Sequence, residues 1–299
     1  VIEKLDYLND GDPATTTDLG VTGIWLMPVM KSVSYHGYAV LDYREIDPDY
    51  GTLDDLRELI SEARARGIAV IVDMVFNHTA RASSWFSESI LPSGPRADWY
   101  IWSAEDPGFR GPDLQQVWHP YAGRYFYGVF SETMPDLNLT NPAVTEELYD
   151  IARFWLEDVG VDGFRLDAVK HYIEEGTNQE NTPSTLAWTH ALNAFVKDVA
   201  PEALMIGEVW SNTYDAAPYV NEGALDLVFE FDLAQAVIDA VASRSSAGVI
   251  SLQQRSIEKY PPGKYGSFLT NYDQNRAMNQ VRNNPGAARV AASTLLTAP

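Results

Sequence analysis

The chain has 299 residues and a net charge of −21, from 42 acidic and 21 basic residues, and 45% of its residues are hydrophobic. That hydrophobic fraction suffices for one large or two ordinary folded domains and excludes a disordered chain. The acidic excess argues against a nucleic-acid partner, because phosphate binding needs basic patches. The chain contains no cysteine, which excludes disulfides and thiol chemistry. Because no apolar run reaches the ~20 residues of a membrane-spanning helix, we expect no membrane span.

Apolar runs typical of buried strands alternate with amphipathic segments typical of helices along most of the chain. Strands are predicted to begin near residues 22, 68, 161, 203, 225 and 266. Helices are predicted over residues 1–9, 53–66, 142–159, 184–199, 214–220, from 234 and over 287–296. Residues 35–50 are predicted to form a loop. The alternation indicates a parallel sheet, and the lack of a glycine-rich phosphate loop after any strand favours a TIM barrel over a dinucleotide-binding sheet.

A TIM (β/α)8 barrel has eight strands, whereas the pattern supplies six. Because the chain opens and closes on predicted helices, we expect the first and eighth strands to be missing from it. The alternation also stops between residues 79 and 138, which are rich in aromatic residues, proline and glycine. A stretch of that length is typical of an inserted domain. We therefore predict an α/β fold with a partial catalytic barrel over residues 1–78 and 139–299 and an insertion at 79–138.

The most informative stretch is VDGFRLDAVKH, residues 161–171. Its apolar run is typical of a buried strand and ends in Arg165 and Asp167, which are two residues apart and so share one face of the strand. A guanidinium favours the ionised form of a neighbouring carboxylate and lowers its pKa, as a nucleophile requires. A purely structural ion pair is the alternative interpretation.

Acids follow four of the predicted strands: Asp73 in DMVFNH, Asp167, Glu208 in IGEVW and Asp273 in FLTNYDQNR. Carboxylates that converge at the mouth of a barrel suit either glycoside cleavage or a divalent-metal enzyme. Arg165 favours glycoside cleavage, because a built-in cation neutralises one carboxylate and competes with a metal ion. The metal-dependent enzyme stays open as an alternative.

In this order and spacing, the four strings resemble the four signature regions of the alpha-amylase family of glycoside hydrolases. MPDLN, residues 134–138, resembles a fifth region, and HGY, residues 36–38, resembles the substrate loop of that family. The resemblance covers nearly the whole chain and points to the MPDLN-bearing branch. It implies a TIM barrel with a domain B inserted after the third strand, at residues 79–138.

The resemblance implies that Asp167 is the nucleophile and Glu208 the acid/base, while Asp273 stabilises an oxocarbenium-like transition state. Retaining enzymes hold the first two carboxyls about 5–5.5 Å apart. We expect the apolar neighbours of Glu208 to raise its pKa, as a general acid requires. Asp73 is expected to be structural and to brace Arg165. The substrate contacts implied by similarity are His36, Tyr38, His78, Arg165, Lys170, His171 and Tyr272.

Calcium is the cofactor that the resemblance suggests. Asn77, Asp136 and the carbonyl of His171 resemble the calcium site between barrel and domain B in many relatives, and calcium favours such oxygen ligands. Ordinary hydrogen bonding explains Asn77 and Asp136 equally well. The sequence therefore leaves the metal unassigned.

Two positions depart from the family pattern. Tyr272 stands where the family usually has histidine, and tyrosine cannot become a cation at neutral pH. Ala39 follows HGY where this branch often has an aspartate, which helps to close a pocket around a chain-end glucose in exo-acting members. The loss of that aspartate favours a more open cleft.

The sequence thus predicts a retaining α-glucan hydrolase, specifically an endo-acting alpha-amylase that cleaves α-1,4 bonds through a covalent glycosyl-enzyme intermediate. Relatives that cleave oligosaccharides or cyclodextrins, or that transfer sugars, use the same carboxylates and stay open as alternatives. A non-catalytic glucan-binding or scaffold member of the fold is the alternative from another class. We expect an α-glucan or malto-oligosaccharide substrate, no nucleic-acid partner, a monomer and an extracellular location.

Overall fold

The structure is a computed structural model that describes residues 1–297. It divides into two compact units, the first ending at Met205 and the second beginning at Ile206. The strands are β1 (Gly23–Leu26), β2 (Met30–Ser32), β3 (Val40–Ile46), β4 (Ala69–Met74), β5 (Trp102–Ser103), β6 (Trp118–Tyr121), β7 (Arg124–Tyr127), β8 (Gly163–Leu166), β9 (Leu204–Gly207), β10 (Leu227–Phe229) and β11 (Tyr265–Gly266). The α-helices are α1 (Leu5–Leu8), α2 (Leu53–Ala65), α3 (Ser84–Ser89), α4 (Pro142–Arg153), α5 (Pro183–Val199), α6 (Thr213–Asn221), α7 (Phe231–Ser243), α8 (Ala247–Lys259), α9 (Ala277–Gln280) and α10 (Pro285–Thr297).

A parallel sheet with the strand order β1-β4-β8 forms the centre of the first unit. Asp73 of β4 lies beside Arg165 of β8 in the register of this sheet. β9 begins next to β8, where the amide of Leu204 donates to the carbonyl of Asp162 at 2.9 Å. Because all of β8 and nearly all of β4 are buried, these strands read as continuous apolar runs in the sequence.

The approach between β8 and the start of β9 depends on a glycine. Gly163 has a φ of +144°, and a Cβ atom at this position would lie 2.1 Å from the carbonyl oxygen of Leu204. No side chain fits in that space, and the backbone conformation is one that L-residues rarely adopt. Gly163 therefore allows the strand that carries Arg165 to enter the sheet.

The helices of the first unit are specified by their caps. The hydroxyl of Thr52 accepts from the amide of Asp55, whose carboxylate accepts from the amide of Thr52, so α2 begins with a capping box. Asn141 caps α4, with Pro142 at the first helical position. A π-helical turn, Phe154–Val159, continues α4 and ends at Gly160, which is left-handed.

The prediction of a loop over residues 35–50 was wrong where β3 pairs with β2 in an antiparallel hairpin. Val40 and Tyr43 of β3 are buried, but the exposed Asp42 lies between them, and Arg44 and Glu45 follow. The strand therefore has no continuous apolar run, which is the pattern that predicts a buried strand.

Residues between β4 and α4 include a second, antiparallel sheet with the order β5-β7-β6, preceded by α3. Aromatic rings fill its interior: Phe86 stacks on Trp102 at 5.4 Å and contacts the edge of Phe126 at 5.1 Å. Trp118 and Tyr127 belong to a second buried cluster. The tryptophans of this region therefore serve as core, whereas the domain boundaries at residues 79 and 138 stay a prediction.

In the second unit, β9, β10 and β11 are parallel and lie in that order. The strand predicted from residue 266 was wrong in extent, because β11 ends at Gly266. The long helix predicted from Ala234 consists of α7 and α8, separated at Arg244, which is left-handed. Parallel strands separated by helices confirm the predicted partial TIM barrel. Within residues 1–297, no helix has the length and apolarity needed to cross a membrane.

Candidate active site

A buried arginine between two carboxylates forms the centre of the candidate site in the first unit. Arg165 Nη1 lies 2.7 Å from Asp167 Oδ1 and 2.8 Å from Asp73 Oδ1. Arg165 and Asp73 are fully buried, whereas Asp167 retains 8% of its exposure. The arginine therefore fixes the orientation of the one carboxylate that is still accessible, and its charge favours the ionised form of that carboxylate.

The local backbone explains how Asp167 reaches the end of the strand. Arg165 and Asp167 share a face because they are two residues apart, and the amide of Asp167 donates to the carbonyl of Met74 at 3.0 Å. Ala168 then adopts a left-handed conformation, with φ +51° and ψ +33°. A non-glycine residue in this region is strained, and such strain is concentrated at functional sites. The chain thus turns immediately after the predicted nucleophile.

Asp73 accepts hydrogen bonds from two further side chains. The hydroxyl of Tyr38 donates to Asp73 Oδ2 at 2.7 Å, and Trp25 Nε1 donates to the same oxygen at 3.2 Å. The guanidinium of Arg165 also lies over the ring of Trp25, 4.9 Å from its centroid. Asp73 therefore contacts Arg165 as the sequence suggested, and it also holds the predicted substrate residue Tyr38.

The HGY string forms a tight turn above this cluster. Gly37 has a φ of +85°, and a Cβ atom there would lie 2.6 Å from the carbonyl oxygen of Pro28, so the turn requires glycine. The amide of Tyr38 donates to His36 Nδ1 at 3.1 Å, and the two rings stack with centroids 5.8 Å apart. Tyr35, which immediately precedes this turn, is 96% exposed.

Two buried histidines lie near Phe130. The centroid of the Phe130 ring is 5.4 Å from that of His78 and 5.5 Å from that of His171. Burial lowers the pKa of His78 to about 4, and burial together with the charge of Lys170 lowers the pKa of His171 to about 4. Both rings are therefore neutral at pH 7. His78 Nε2 bonds the carbonyl of Tyr38 at 3.1 Å, which places its proton on that nitrogen.

Glu180 lies beside the two remaining predicted contacts on this side, Lys170 and His171. Lys170 Nζ lies 2.5 Å from Glu180 Oε1, so the lysine is held by an ion pair. His171 Nδ1 bonds the carbonyl of Gln179 at 3.1 Å. Both residues follow Asp167 on the short 3-10 turn Val169–His171. The first unit therefore brings together the predicted residues His36, Tyr38, Asp73, His78, Arg165, Asp167, Lys170 and His171.

Asp136 has one buried carboxylate oxygen without a hydrogen-bond partner, an atom of the kind that calcium binds. Asp136 is 1% exposed; its Oδ1 accepts from the amide of Val129 at 3.2 Å, while Oδ2 has no hydrogen-bond partner. Burial, then the charge of Glu174, raises the pKa of Asp136. The described residues contain no group of three or more His, Cys, Asp or Glu suited to a metal. Calcium, however, accepts amide and carbonyl oxygens as well as carboxylates, and the predicted donors Asn77, Asp136 and the His171 carbonyl are of these kinds.

The second unit carries the other predicted acids. Glu208 directly follows β9 and is 8% exposed. Trp210 stacks on Phe231, with ring centroids 4.8 Å apart and planes 11° apart. Glu208 is therefore buried directly after the strand, while the apolar surroundings that the sequence predicted for its carboxyl stay a prediction.

Tyr272 and Asp273 lie on a turn and not at the end of a strand, because β11 stops seven residues before Asp273. The amide of Asp273 donates to Asn271 Oδ1 at 3.1 Å, and the amide of Asn271 donates to Gln274 Oε1 at 3.2 Å. Tyr272 is 40% exposed. Side-chain hydrogen bonds of this kind replace the strand as the support for Asp273.

Sequence reasoning missed three residues of these sites. Trp25 could have been identified from the sequence, because it is a tryptophan inside an otherwise aliphatic strand, GIWL. Phe130 and Glu174 gave no signal, because their neighbours are distant in sequence. Burial raises the pKa of Glu174 to about 7, which identifies it only once the fold is known.

Comparison with known proteins places the whole chain beside amylases. The family model described as "Alpha amylase, catalytic domain" matches residues 1–298. Alpha-amylase 3 of Dictyoglomus thermophilum is 36% identical over the full chain, which covers 57% of that protein. Trehalose synthase/amylase TreS of Mycolicibacterium smegmatis is 34% identical over 91% of the chain and 47% of its own length.

A solved structure agrees with these sequence relatives. The crystal structure of an alpha-amylase from H. orenii superposes with a TM-score of 0.91 at 41% identity, over 99% of this chain and 61% of that one. The chain thus spans 57% and 47% of the two curated relatives and 61% of the solved structure.

Proposed function

Because the chain belongs to the alpha-amylase family, a family of glycoside hydrolases and related transferases, we propose that it is the catalytic part of a retaining α-glucan hydrolase. More specifically, we propose an endo-acting alpha-amylase that cleaves α-1,4-glucosidic bonds. The observation that carries this proposal is the contact of 2.7 Å between Arg165 Nη1 and Asp167 Oδ1. It presents an oriented carboxylate with a permanent cation beside it.

Asp167 acts as the nucleophile in this mechanism. Its oxygen attacks the anomeric carbon while the bond from that carbon to the leaving oxygen breaks. Arg165 keeps Asp167 ionised, because the guanidinium cannot lose its proton at working pH. Arg165 Nη1 also donates to Asp73, and this second hydrogen bond holds the guanidinium in place beside Asp167.

Glu208 acts as acid and then as base. It gives its proton to the leaving oxygen in the first step and takes a proton from water in the second, when the water oxygen displaces Asp167 from the sugar. The burial of Glu208, which is 8% exposed, supports this role, since removal from water favours the protonated form of a carboxyl. Asp273 holds sugar hydroxyls and stabilises the positive charge on the ring.

The remaining polar side chains bind the substrate. Tyr38 and His36 form a stacked pair above Asp73, and His78 is a neutral hydrogen-bonding group. Lys170 and His171 contact the sugar beyond the scissile bond, and Tyr272 takes the place of a sugar-binding histidine. Asn77, Asp136 and the His171 carbonyl would hold a calcium ion, which would supply a fixed charge between these segments.

The choice between endo-acting hydrolysis and its alternatives depends on the acceptor and on the width of the cleft. Ala39 is buried, and its carbonyl accepts from Ser32 Oγ at 2.8 Å, so this position offers the substrate no carboxylate. An open cleft favours internal cleavage of long chains. The trehalose synthase/amylase relative supports sugar transfer as the second candidate, because water and a sugar hydroxyl attack the same intermediate.

A scaffold without activity is disfavoured, because the acids Asp167, Glu208 and Asp273 are all retained. A metal-dependent mechanism is disfavoured by the arginine that already neutralises Asp167. We further propose that the protein is an extracellular monomer, which light scattering and fractionation of the native host would test.

The test uses the full-length protein. Starch, maltotriose and cyclodextrin are incubated with the native enzyme and with Asp167→Ala, Glu208→Gln and Glu202→Gln. Glu202 is an exposed glutamate just before β9, and its substitution controls for the loss of one carboxylate near the same strand. We expect the first two variants to abolish turnover with the fold intact, Glu202→Gln to be active, and starch to give a mixture of internal products. Absence of cleavage of every α-glucan would overturn the proposal.

A further inference from the structure

The loop that follows Glu208 is fixed at both ends. Gly207, the last residue of β9, pairs with Val228 of β10. Asn212 caps the next helix, α6, by accepting from the amide of Tyr214 at 2.9 Å. Glu208 therefore lies on a short segment whose position depends on what holds its far end.

The start of α7 holds that far end through three contacts. The hydroxyl of Thr213 donates to Glu230 Oε1 at 2.9 Å, and the amide of Thr213 donates to Asp232 Oδ2 at 3.1 Å. The ring of Phe231, between these two acids, stacks on Trp210 at 4.8 Å. Three consecutive residues thus contact both the middle and the end of the segment that carries Glu208.

Glu230 is the residue of this arrangement whose burial is energetically unfavourable. It is 1% exposed, and burial followed by the neighbouring charge of Asp232 raises its pKa. A buried carboxyl is unfavourable unless it makes specific hydrogen bonds. Its contact with the buried hydroxyl of Thr213 is such a bond, and it joins the end of β10 to the start of α6.

We propose that Glu230 is a positioning residue for Glu208 and acts through Thr213. The proposal rests on the proposed function, in which Glu208 protonates the leaving oxygen. A general acid must lie within hydrogen-bond reach of that oxygen, and small displacements remove much of its effect. The hydrogen bond between Glu230 and Thr213 fixes the end of the loop at α6, and it thereby determines how close the carboxyl of Glu208 lies to the leaving oxygen.

The test compares two substrates in the full-length enzyme. Maltotriose has a leaving group that must be protonated, whereas a 2,4-dinitrophenyl α-maltoside releases a phenolate that needs no proton. Thr213→Val and Glu230→Met each remove one partner of the hydrogen bond. For both variants we expect kcat on maltotriose to fall about tenfold, a fraction of the effect of a complete general acid. KM for maltotriose should stay within about twofold of the native value. So should kcat/KM for the activated substrate, which reports the first step alone and not the later step in which Glu208 acts as base.

Conservative variants and a matched control separate positioning from general damage. Thr213→Ser and Glu230→Gln keep a donor and an acceptor, so both should restore the rate on maltotriose. Thr189→Val removes a buried hydroxyl that donates to the carbonyl of Thr185 at 2.8 Å within α5, and it should leave both rates unchanged. The proposal is overturned if Thr213→Val and Glu230→Met slow both substrates equally or match Thr189→Val. If Glu208→Gln itself retains activity on maltotriose, the proposed function fails instead.

Discussion

Arg165 Nη1 contacts both Asp73 Oδ1 and Asp167 Oδ1, at 2.8 and 2.7 Å. The arginine and Asp73 are fully buried, so the two carboxylates share one cation that water cannot replace. Without the arginine, two negative charges would face each other in a region of low dielectric constant. Stability and catalysis therefore depend on the same contact.

Replacement of the buried arginine is expected to be severe. Arg165→Met should lower the free energy of unfolding by about 3–5 kcal/mol, because it leaves the carboxylates buried without a partner. Urea denaturation followed by circular dichroism would measure the change. Arg57→Met is the control, since Arg57 forms an exposed pair with Asp54 at 2.8 Å and such pairs contribute about 0–1 kcal/mol. Equal decreases in the free energy of unfolding for the two variants would show that the buried contact contributes no more than an exposed ion pair.

Gly163→Ala tests the close approach of β8 to β9. The added Cβ would lie 2.1 Å from the carbonyl oxygen of Leu204, so the strands must separate. Gly67→Ala is the matched control, because Gly67 also has a positive φ, +72°, but no atom lies within 4 Å of the added Cβ. We expect Gly67→Ala to cost about 1–2 kcal/mol and Gly163→Ala to cost clearly more. Thermal unfolding of both variants would decide, and similar losses would contradict the steric argument.

The parts of the fold that the sequence predicted are those in which neighbours along the chain share an environment. β4 and β8 are buried over nearly their whole length, so their apolar runs were unmistakable. The pairing of Arg165 with Asp167 followed from their spacing on one strand. The bracing contact of Asp73 with Arg165 was suggested from the family resemblance, and its distance of 2.8 Å required the structure.

Other contacts of the site could not be predicted, because they join residues that are distant along the chain. Trp25 bonds Asp73 across 48 positions, and Thr213 bonds Glu230 across 17. Neither leaves a periodic signal, since each depends on the register of neighbouring strands and the turns that follow them. The turn at Asp273 was mistaken for a strand end for the same reason: its support comes from side chains of the turn.

Calcium is expected to stabilise the first unit through Asp136. The unpaired oxygen Oδ2 of this buried residue would gain a ligand, and a calcium concentration 100 times the dissociation constant stabilises a folded protein by about 2.7 kcal/mol. Differential scanning calorimetry of the full-length protein with calcium and with EDTA would measure the shift in Tm. Asp136→Asn should abolish the shift, whereas Asp106→Asn, at an exposed turn, should preserve it. A Tm that is independent of calcium would exclude the site.

The stability of the second unit should depend on pH through Glu230. Burial raises the pKa of Glu230 above its ordinary value in the unfolded chain, so the folded state binds the proton more tightly. Its contribution is therefore complete below the unfolded pKa and is lost as the pH rises through the folded pKa. The charged and titratable groups around it are Asp232, Tyr260 and Tyr265, with Arg255 paired to Asp232.

Glu230→Gln removes this titration while it keeps a hydrogen-bond acceptor for Thr213. We expect the variant to lose less stability than the native protein between pH 4.5 and 7.5. Unfolding free energies from urea titrations at the two pH values would give the difference for each protein. An identical pH dependence would mean that Glu230 titrates normally in the folded protein.

Tyr272 is the clearest departure from the family pattern, and it lies next to the predicted transition-state stabiliser Asp273. Its side chain is 40% exposed on a turn held by Asn271 and Gln274. A tyrosine is longer than a histidine and is tethered by a rigid ring, so its hydroxyl reaches the sugar from further back or crowds the cleavage position. Neither arrangement removes Asp167 or Glu208, and the chemistry should therefore persist at a reduced rate.

Tyr272→His is accordingly expected to raise kcat/KM on α-1,4-glucans in the full-length enzyme. Loss of an oxyanion donor costs about 2.7–4 kcal/mol of transition-state stabilisation, and the gain here should be smaller, because the tyrosine hydroxyl still donates. Tyr272→Phe separates the two explanations: removal of the hydroxyl lowers activity if it binds the sugar and raises activity if it crowds the site. A lower kcat/KM for Tyr272→His would show that the tyrosine is an adapted contact.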